Sequence, residues 1–149
     1  MTTTEATTST TVPTADAITD VPAVVATTST DAPAPDRATP SARIFAAATA
    51  WPGVTLTGPG ERGEMSLMLG RHEVGHLHGD RVAHFAFGMV LGRRLRDEGH
   101  VGPHPVTAKP TLAARRIDRA GDVEDVLELL GLNYDRLVAR YGLPGTPTA

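Results

Sequence analysis

The apolar side chains of this chain are crowded into one continuous stretch, and that unevenness limits what can fold. All six aromatic rings (Phe45, Trp51, Phe85, Phe87, Tyr134 and Tyr141) lie between residues 41 and 143. Residues 1–40 are mostly Thr, Ala, Pro, Ser and Asp in irregular order. Such a segment buries too little apolar area to offset an ordering entropy of ~1–2 kcal/mol per residue. The expected division is therefore a disordered Thr/Ala/Pro-rich tail over 1–40, one folded domain over 41–143, and a frayed C-terminus over 144–149. A domain of that length buries roughly 60–70% of its unfolded surface, enough for a single core.

Charge divides along the same boundary. The tail holds Glu5, Asp16, Asp20, Asp31 and Asp36 against Arg37, a net of −4 within a total of −3, which leaves the domain at +1. A domain so nearly neutral lacks the basic footprint of a nucleic-acid binder, so nucleic acid is not an expected partner. The chain has no cysteine. Disulfides, thiolate catalysis and Cys-ligated metals are thereby excluded, and any metal would rely on His, Asp, Glu or backbone oxygen. No stretch approaches the ~20 apolar residues of a membrane span. The start lacks the basic and apolar regions of a secretory signal. These features give the expectation of a soluble, cytoplasmic protein without a membrane partner.

Local patterns predict the elements. Thr39-Pro40 opens a helix carrying Ile44, Phe45, Ala48 and Trp51 at helical spacing, and Pro52-Gly53 stops it. Val54–Thr57, Glu64–Leu69, His72–His78 and Val82–Phe87 read as strands, with a hairpin turn at Gly79-Asp80. A helix follows over Gly88–Glu98, with Val90, Leu91 and Leu95 inward and Gly99 as its stop. Val106–Ala108 and Leu112–Ile117 are predicted strands. Asp122 is expected to cap a helix that Gly131 breaks, and Asn133 to cap a last one containing Tyr134, Leu137, Val138 and Tyr141. The order α-ββββ-α-ββ-αα indicates an α+β fold, a hairpin-rich antiparallel sheet with helices on one face and the other face partly open.

Histidines mark that open face. His76 and His78 are two apart, so a straight strand puts both on one side, ~6.5–7 Å apart. His104, reached through the fold, or His72, further along the same face, is a candidate third member. Asp80 has the same parity but is expected to cap the hairpin. The spacing leaves three roles open: a metal site of His76, His78 and His104, metal-free catalytic or ligand-binding imidazoles, or a structural polar face. In the metal-free role, a histidine with a pKa near ~6.5 suits deprotonation of an enol or phenol at neutral pH. His76 or His78 would be the base, His104 its partner, and Arg71 a cation for the resulting anion. His84 reads as a half-buried strand residue, His100 as a favourable helix-end cation, and Arg93-Arg94-Leu-Arg96 with Arg115-Arg116 as solvated surface. Phosphate loops, nucleophile elbows, zinc-helix motifs and dinucleotide fingerprints are absent.

Trp51-Pro-Gly-Val54, Gly70-Arg71, Gly75-His-Leu-His-Gly-Asp-Arg81, Pro103-His104, Asp122-Val123 and Leu132-Asn-Tyr-Asp-Arg136 together resemble the bacterial branch of the luciferase-domain family. The resemblance runs from about Arg43 to Tyr141. It implies kinship with the fungal luciferase, which oxidises a hispidin-type pyrone with O₂ without flavin or metal. The chain departs from the pattern at Lys109-Pro-Thr-Leu112, where the family carries a Ser-Gly-Trp-like segment, so one aromatic ring of the implied pocket is missing. The layout is also similar to small double-wing domains.

The leading expectation is a domain that binds a small aromatic or enolic molecule, a cofactor-free oxygenase if it is an enzyme. The catalytic candidates are His76, His78 and His104, and the ligand-binding candidates are Arg71 and Asp80. The alternatives are a His-based metalloprotein and a non-enzymatic interaction or nucleic-acid-binding module of double-wing type.

Overall fold

A computed structural model describes residues 38–145. Most of the expected tail, residues 1–37, and residues 146–149 lie outside the described residues. The elements are α1 (Pro40–Ala48), β1 (Val54–Thr57), β2 (Met65–Leu69), β3 (His72–His78), β4 (Val82–Ala86), α2 (Met89–Asp97), β5 (Gly102–Pro103), β6 (Leu112–Arg116) and α3 (Asp122–Tyr141). The six strands form one open sheet in the order β1-β2-β3-β4-β6-β5, and every pairing is antiparallel. The fold is α+β.

Helix α1 begins where the sequence predicts. The Thr39 hydroxyl accepts from the Ala42 N–H at 3.3 Å, and Pro40 takes the first helical position, where its missing N–H costs nothing. Pro40 therefore belongs to the folded domain. At the other end, Pro144 rests against Gly53 and Gly70. Helix α1 packs on α3, and α3 lies over β3 and β4. Between helices and sheet sit Ile44, Leu67, Leu69, Val74, Leu77, Phe85, Val126 and Leu130, all essentially closed to solvent. Phe85 and Phe87 stack inside this layer with ring centroids 4.9 Å apart.

A β-bulge sets the faces of β3. Leu67 lies opposite Gly75, but Met68 lies opposite Glu73, so Val74 is an extra residue on β3. Opposed residues share a face, and one inserted residue reverses the alternation. On the far side of the bulge His72 therefore falls opposite buried Leu69, on the helix side, and its ring stacks on Tyr141 of α3 at 3.8 Å. The expectation that His72 shares a face with His76 is thus overturned. Glu73 moves the other way, onto the face of His76.

Several further expectations are corrected. Helix α3 is one helix of 20 residues, not two. Gly131 costs about 1 kcal/mol inside a helix, but buried Val126, Leu129, Leu130 and Leu137 hold the segment in place, and Gly131 lies beneath the Trp51 ring. Asn133 is no cap. It is fully buried, and its amide donates to the Val74 carbonyl at 2.7 Å while its oxygen accepts from Arg136 at 2.9 Å. Asp122 is the first helical residue rather than the cap, and its carboxylate accepts from the Asp118 and Arg119 N–H groups of the preceding turn. Val90 is 87% exposed rather than inward. Arg96 is half-buried and donates to the Pro110 and Leu112 carbonyls. Val106–Ala108 is loop; the edge strand is Gly102–Pro103, where a proline without an N–H is tolerated.

Asn133 spans from α3 to the bulge, so its removal should loosen both. We predict that Asn133→Ala lowers stability by about 1–3 kcal/mol, since the Val74 carbonyl stays buried without its donor. Urea unfolding monitored by Trp51 fluorescence checks this, and an unchanged midpoint would contradict it.

Candidate functional site

The sheet face away from α3 carries the site. The β3–β4 hairpin turns through Gly79, Asp80 and Arg81, so that His78 pairs with Val82 and His76 with His84. A three-residue connection decides this register. A two-residue turn would place Ala83 opposite His76 and send His84 to the core. With three, His76, His78 and His84 rise from the same face. Their ring centroids are 5.2 Å (His76–His78), 5.0 Å (His76–His84) and 4.9 Å (His78–His84) apart, and each pair is edge-on. His104 follows edge strand β5 and tilts over His84 at 4.4 Å. These four imidazoles, with Arg62 and Glu64, line a cleft of ≈ 630 Å³.

Hydrogen bonds order the cluster. Glu73 Oε1 lies 2.8 Å from His76 Nδ1, and Ser66 donates to the other Glu73 oxygen at 3.2 Å. His76 Nδ1 thus carries a proton toward the carboxylate. In the neutral ring its Nε2 is then a lone pair, 3.1 Å from His84 Nδ1. His84 Nε2 is buried and has no hydrogen-bond partner among the described residues. His104 Nδ1 accepts from the Val106 N–H at 3.3 Å, and no side-chain hydrogen bond within the described residues engages His78.

The electrostatics follow from crowding. Burial, and then the charges of His104, His76 and His78, push the His84 pKa down to about 4. His104 is lowered too, by burial and by His76, His78 and Arg62. Burial alone would raise the Glu73 carboxyl, but the hydrogen bond and charge of His76, together with Ser66, outweigh it and hold the group below its ordinary value. At neutral pH the floor of the cleft therefore presents neutral imidazole and an ionised carboxylate.

The structure brings together three sequence candidates, His76, His78 and His104. It adds His84 and Glu73, which the sequence reading did not select. The signal for His84 was the length of the hairpin loop; the signal for Glu73 was Gly75, a strand glycine that marks the adjoining bulge. The other two candidates lie elsewhere. Arg71 is exposed in the β2–β3 turn, roughly 15 Å along the strand from His76. Asp80 is occupied structurally: its Oδ1 accepts from the Ser41 N–H at 2.9 Å and hydroxyl at 2.6 Å, which ties the hairpin to α1 and lowers the carboxyl pKa. The cation in the cleft lining is Arg62.

An open antiparallel sheet, helices on one face and imidazoles converging in a cleft on the other, defines a small α+β domain with a polar concave site. A family model described as Luciferase domain matches residues 71–133, the segment that holds Glu73, His76, His78, His84 and His104. That match supports a luciferase-domain assignment for this segment of the chain. No curated protein and no solved structure matches it. Among the described residues, no helix is long and apolar enough to cross a membrane.

The depressed His84 pKa has a stability consequence. As pH falls, the unfolded chain takes up the proton near the ordinary value of 6.5, whereas the folded chain resists until about 4. Stability that is full above pH 6.5 is therefore lost progressively between 6.5 and about 4. Melting curves of chelator-treated protein, in which only protons compete for the imidazoles, should show this decline. His84→Gln should flatten it, and an equally steep decline in that variant would contradict the assignment.

Proposed function

We propose that the cleft binds a small acidic organic molecule, an aromatic enol or phenol, and that an imidazole of the cluster takes its proton. The observation that carries this reading is the convergence of four imidazoles, two of them held neutral, on an open ≈ 630 Å³ cleft. A cleft of that size suits a small organic ligand. A neutral imidazole accepts a proton at physiological pH, and a second one nearby stabilises the anion by hydrogen bonding.

Within the cluster the roles divide by which nitrogens are engaged. His76 is bonded at both, to Glu73 and to His84, so it orients its neighbours. His78 has its ring free of side-chain partners and lines the cleft, which makes it the base. His104 faces it from the β5–β6 loop, and Arg62 supplies positive charge at the rim. An enolate is far more reactive toward O₂ than its neutral enol, so proton removal here is the step that a luciferase-type oxygenase reaction requires. The luciferase-domain match over residues 71–133 supports that reaction class, and the chemistry of the cleft supports the substrate class.

The test is direct binding of a hydroxylated 2-pyrone, followed by calorimetry and by O₂ uptake. Saturable binding is expected, weakened at least tenfold, about 1.4 kcal/mol, in His78→Ala and in His104→Ala. His100→Ala, exposed and remote from the cleft, should bind as the unsubstituted protein does. Absence of saturable binding, or equal affinity in both cleft variants, would count decisively against the reading.

A further inference from the structure

We infer that His76, His78 and His84 hold one divalent late first-row transition-metal ion at the floor of the cleft, with Glu73 orienting His76 from behind. The inference shares its location with the proposed ligand site but stands on separate geometry.

Three imidazoles bound to one tetrahedral ion lie with their nitrogens about 2.0–2.1 Å from it, hence ring centres about 3.2 Å from it and about 5.2 Å from one another. The observed separations are 5.2, 5.0 and 4.9 Å. Their near-equality means that the rings surround a point rather than lie in a row. Their mutual angles, 80°, 83° and 62°, set them edge to face rather than stacked. One nitrogen from each of the three histidines lies within 4.8 Å of the others. The closest pair, His76 Nε2 and His84 Nδ1, is already at 3.1 Å, near the roughly 3.4 Å that two tetrahedral ligands require.

The surroundings agree. Metal-bound histidines commonly give their second N–H to a carboxylate, which fixes the tautomer and ring orientation. Glu73 does this for His76 at 2.8 Å, and Ser66 anchors Glu73 in turn. His84 is the most enclosed of the three. It is 5% exposed, and one of its nitrogens has no partner among the described residues. A buried polar atom of this kind costs about 1–3 kcal/mol unless something satisfies it. That orphan is Nε2, whereas the nitrogen facing His76 is Nδ1, so an ion on Nδ1 leaves Nε2 to a separate partner.

The donor set selects the metal. Three imidazoles without thiolate or ligating carboxylate suit Zn²⁺, Co²⁺, Ni²⁺, Cu²⁺ or Fe²⁺ and disfavour Mg²⁺ and Ca²⁺, which take oxygen. Three protein ligands leave the fourth position facing the cleft, the arrangement of a site that admits water or substrate. With the ion bound, His78 would be a ligand rather than a base, and His104, also in the cleft lining, would be the imidazole left to take a proton.

The experiment uses the full chain without a polyhistidine tag, stripped with chelator and titrated with Co²⁺ alone. We expect the visible absorption of four-coordinate Co²⁺, saturating at one ion per chain and bleached by an equivalent of Zn²⁺. The bands should vanish in His78→Ala and in His84→Gln and survive in His72→Ala, whose ring is on the opposite face. Glu73→Gln should weaken binding by about 10–100-fold. Circular dichroism of each variant shows whether it is folded, and the titration of the unsubstituted chain needs no variant. No bands in that titration, or bands that persist in folded His78→Ala, would overturn the inference. Because the organic ligand is absent throughout, failure here is separable from failure of the proposed function, which is read on stripped protein with the pyrone.

Discussion

The hydrogen bond from the Asn133 amide to the Val74 carbonyl joins the helix layer to the one irregularity in the sheet on which the site depends. Val74 is the inserted residue of a bulge. Without the insertion, plain alternation would put His72, His76 and His78 on one side and Glu73 on the other. With it, Glu73 reaches His76, and His72 is withdrawn to pack on Tyr141. Gly75, next in line, has no room for a side chain: a Cβ there would come within 2.7 Å of Leu130 and 3.0 Å of the His84 carbonyl. Helix, bulge and imidazoles are thereby seated together.

Much of this was legible in the residues. Strand and helix periodicity located β1 to β4 and α2 within a residue or two and the start of α1, which ends at Ala48 rather than at Trp51. The open polar face followed from His76 and His78 alone. The errors have a common physical source. Gly131 reads as a helix break, yet tertiary burial of Leu129, Leu130 and Leu137 outweighs the propensity cost. The β-branched Val106-Thr107 pair reads as strand, but β6 is paired instead by Gly102-Pro103. His84 was passed over because a loop of two residues and a loop of three give opposite faces, and local sequence does not count the loop. The bulge at Val74 has one local mark, Gly75 beside it, since a glycine inside a strand often signals a bulge; that mark does not fix which residue is inserted, so Glu73 was not placed from sequence.

The cluster is also an electrostatic statement. Four imidazoles whose rings lie 4.4–5.2 Å from their neighbours cannot all be protonated at modest cost, and the low His84 pKa expresses that repulsion together with burial. The ionised Glu73 offsets this repulsion only in part. What remains is a group of lone pairs aimed at a shared space. A proton, a metal ion or a hydrogen-bonding ligand can each satisfy them, and these three guests compete for the same few nitrogens.

The sheet separates two kinds of demand by the thickness of a single strand. Leu77 and Phe85 point into the dry layer, whereas His76, His78 and His84, their immediate neighbours in sequence, point out of it. Chemistry on the wet side can therefore be rewritten one side chain at a time while the hydrophobic side keeps its packing unchanged. For anyone seeking to reprogram this scaffold, positions 62, 64, 78 and 104 are replaceable parts, and the backbone beneath them is a fixed chassis.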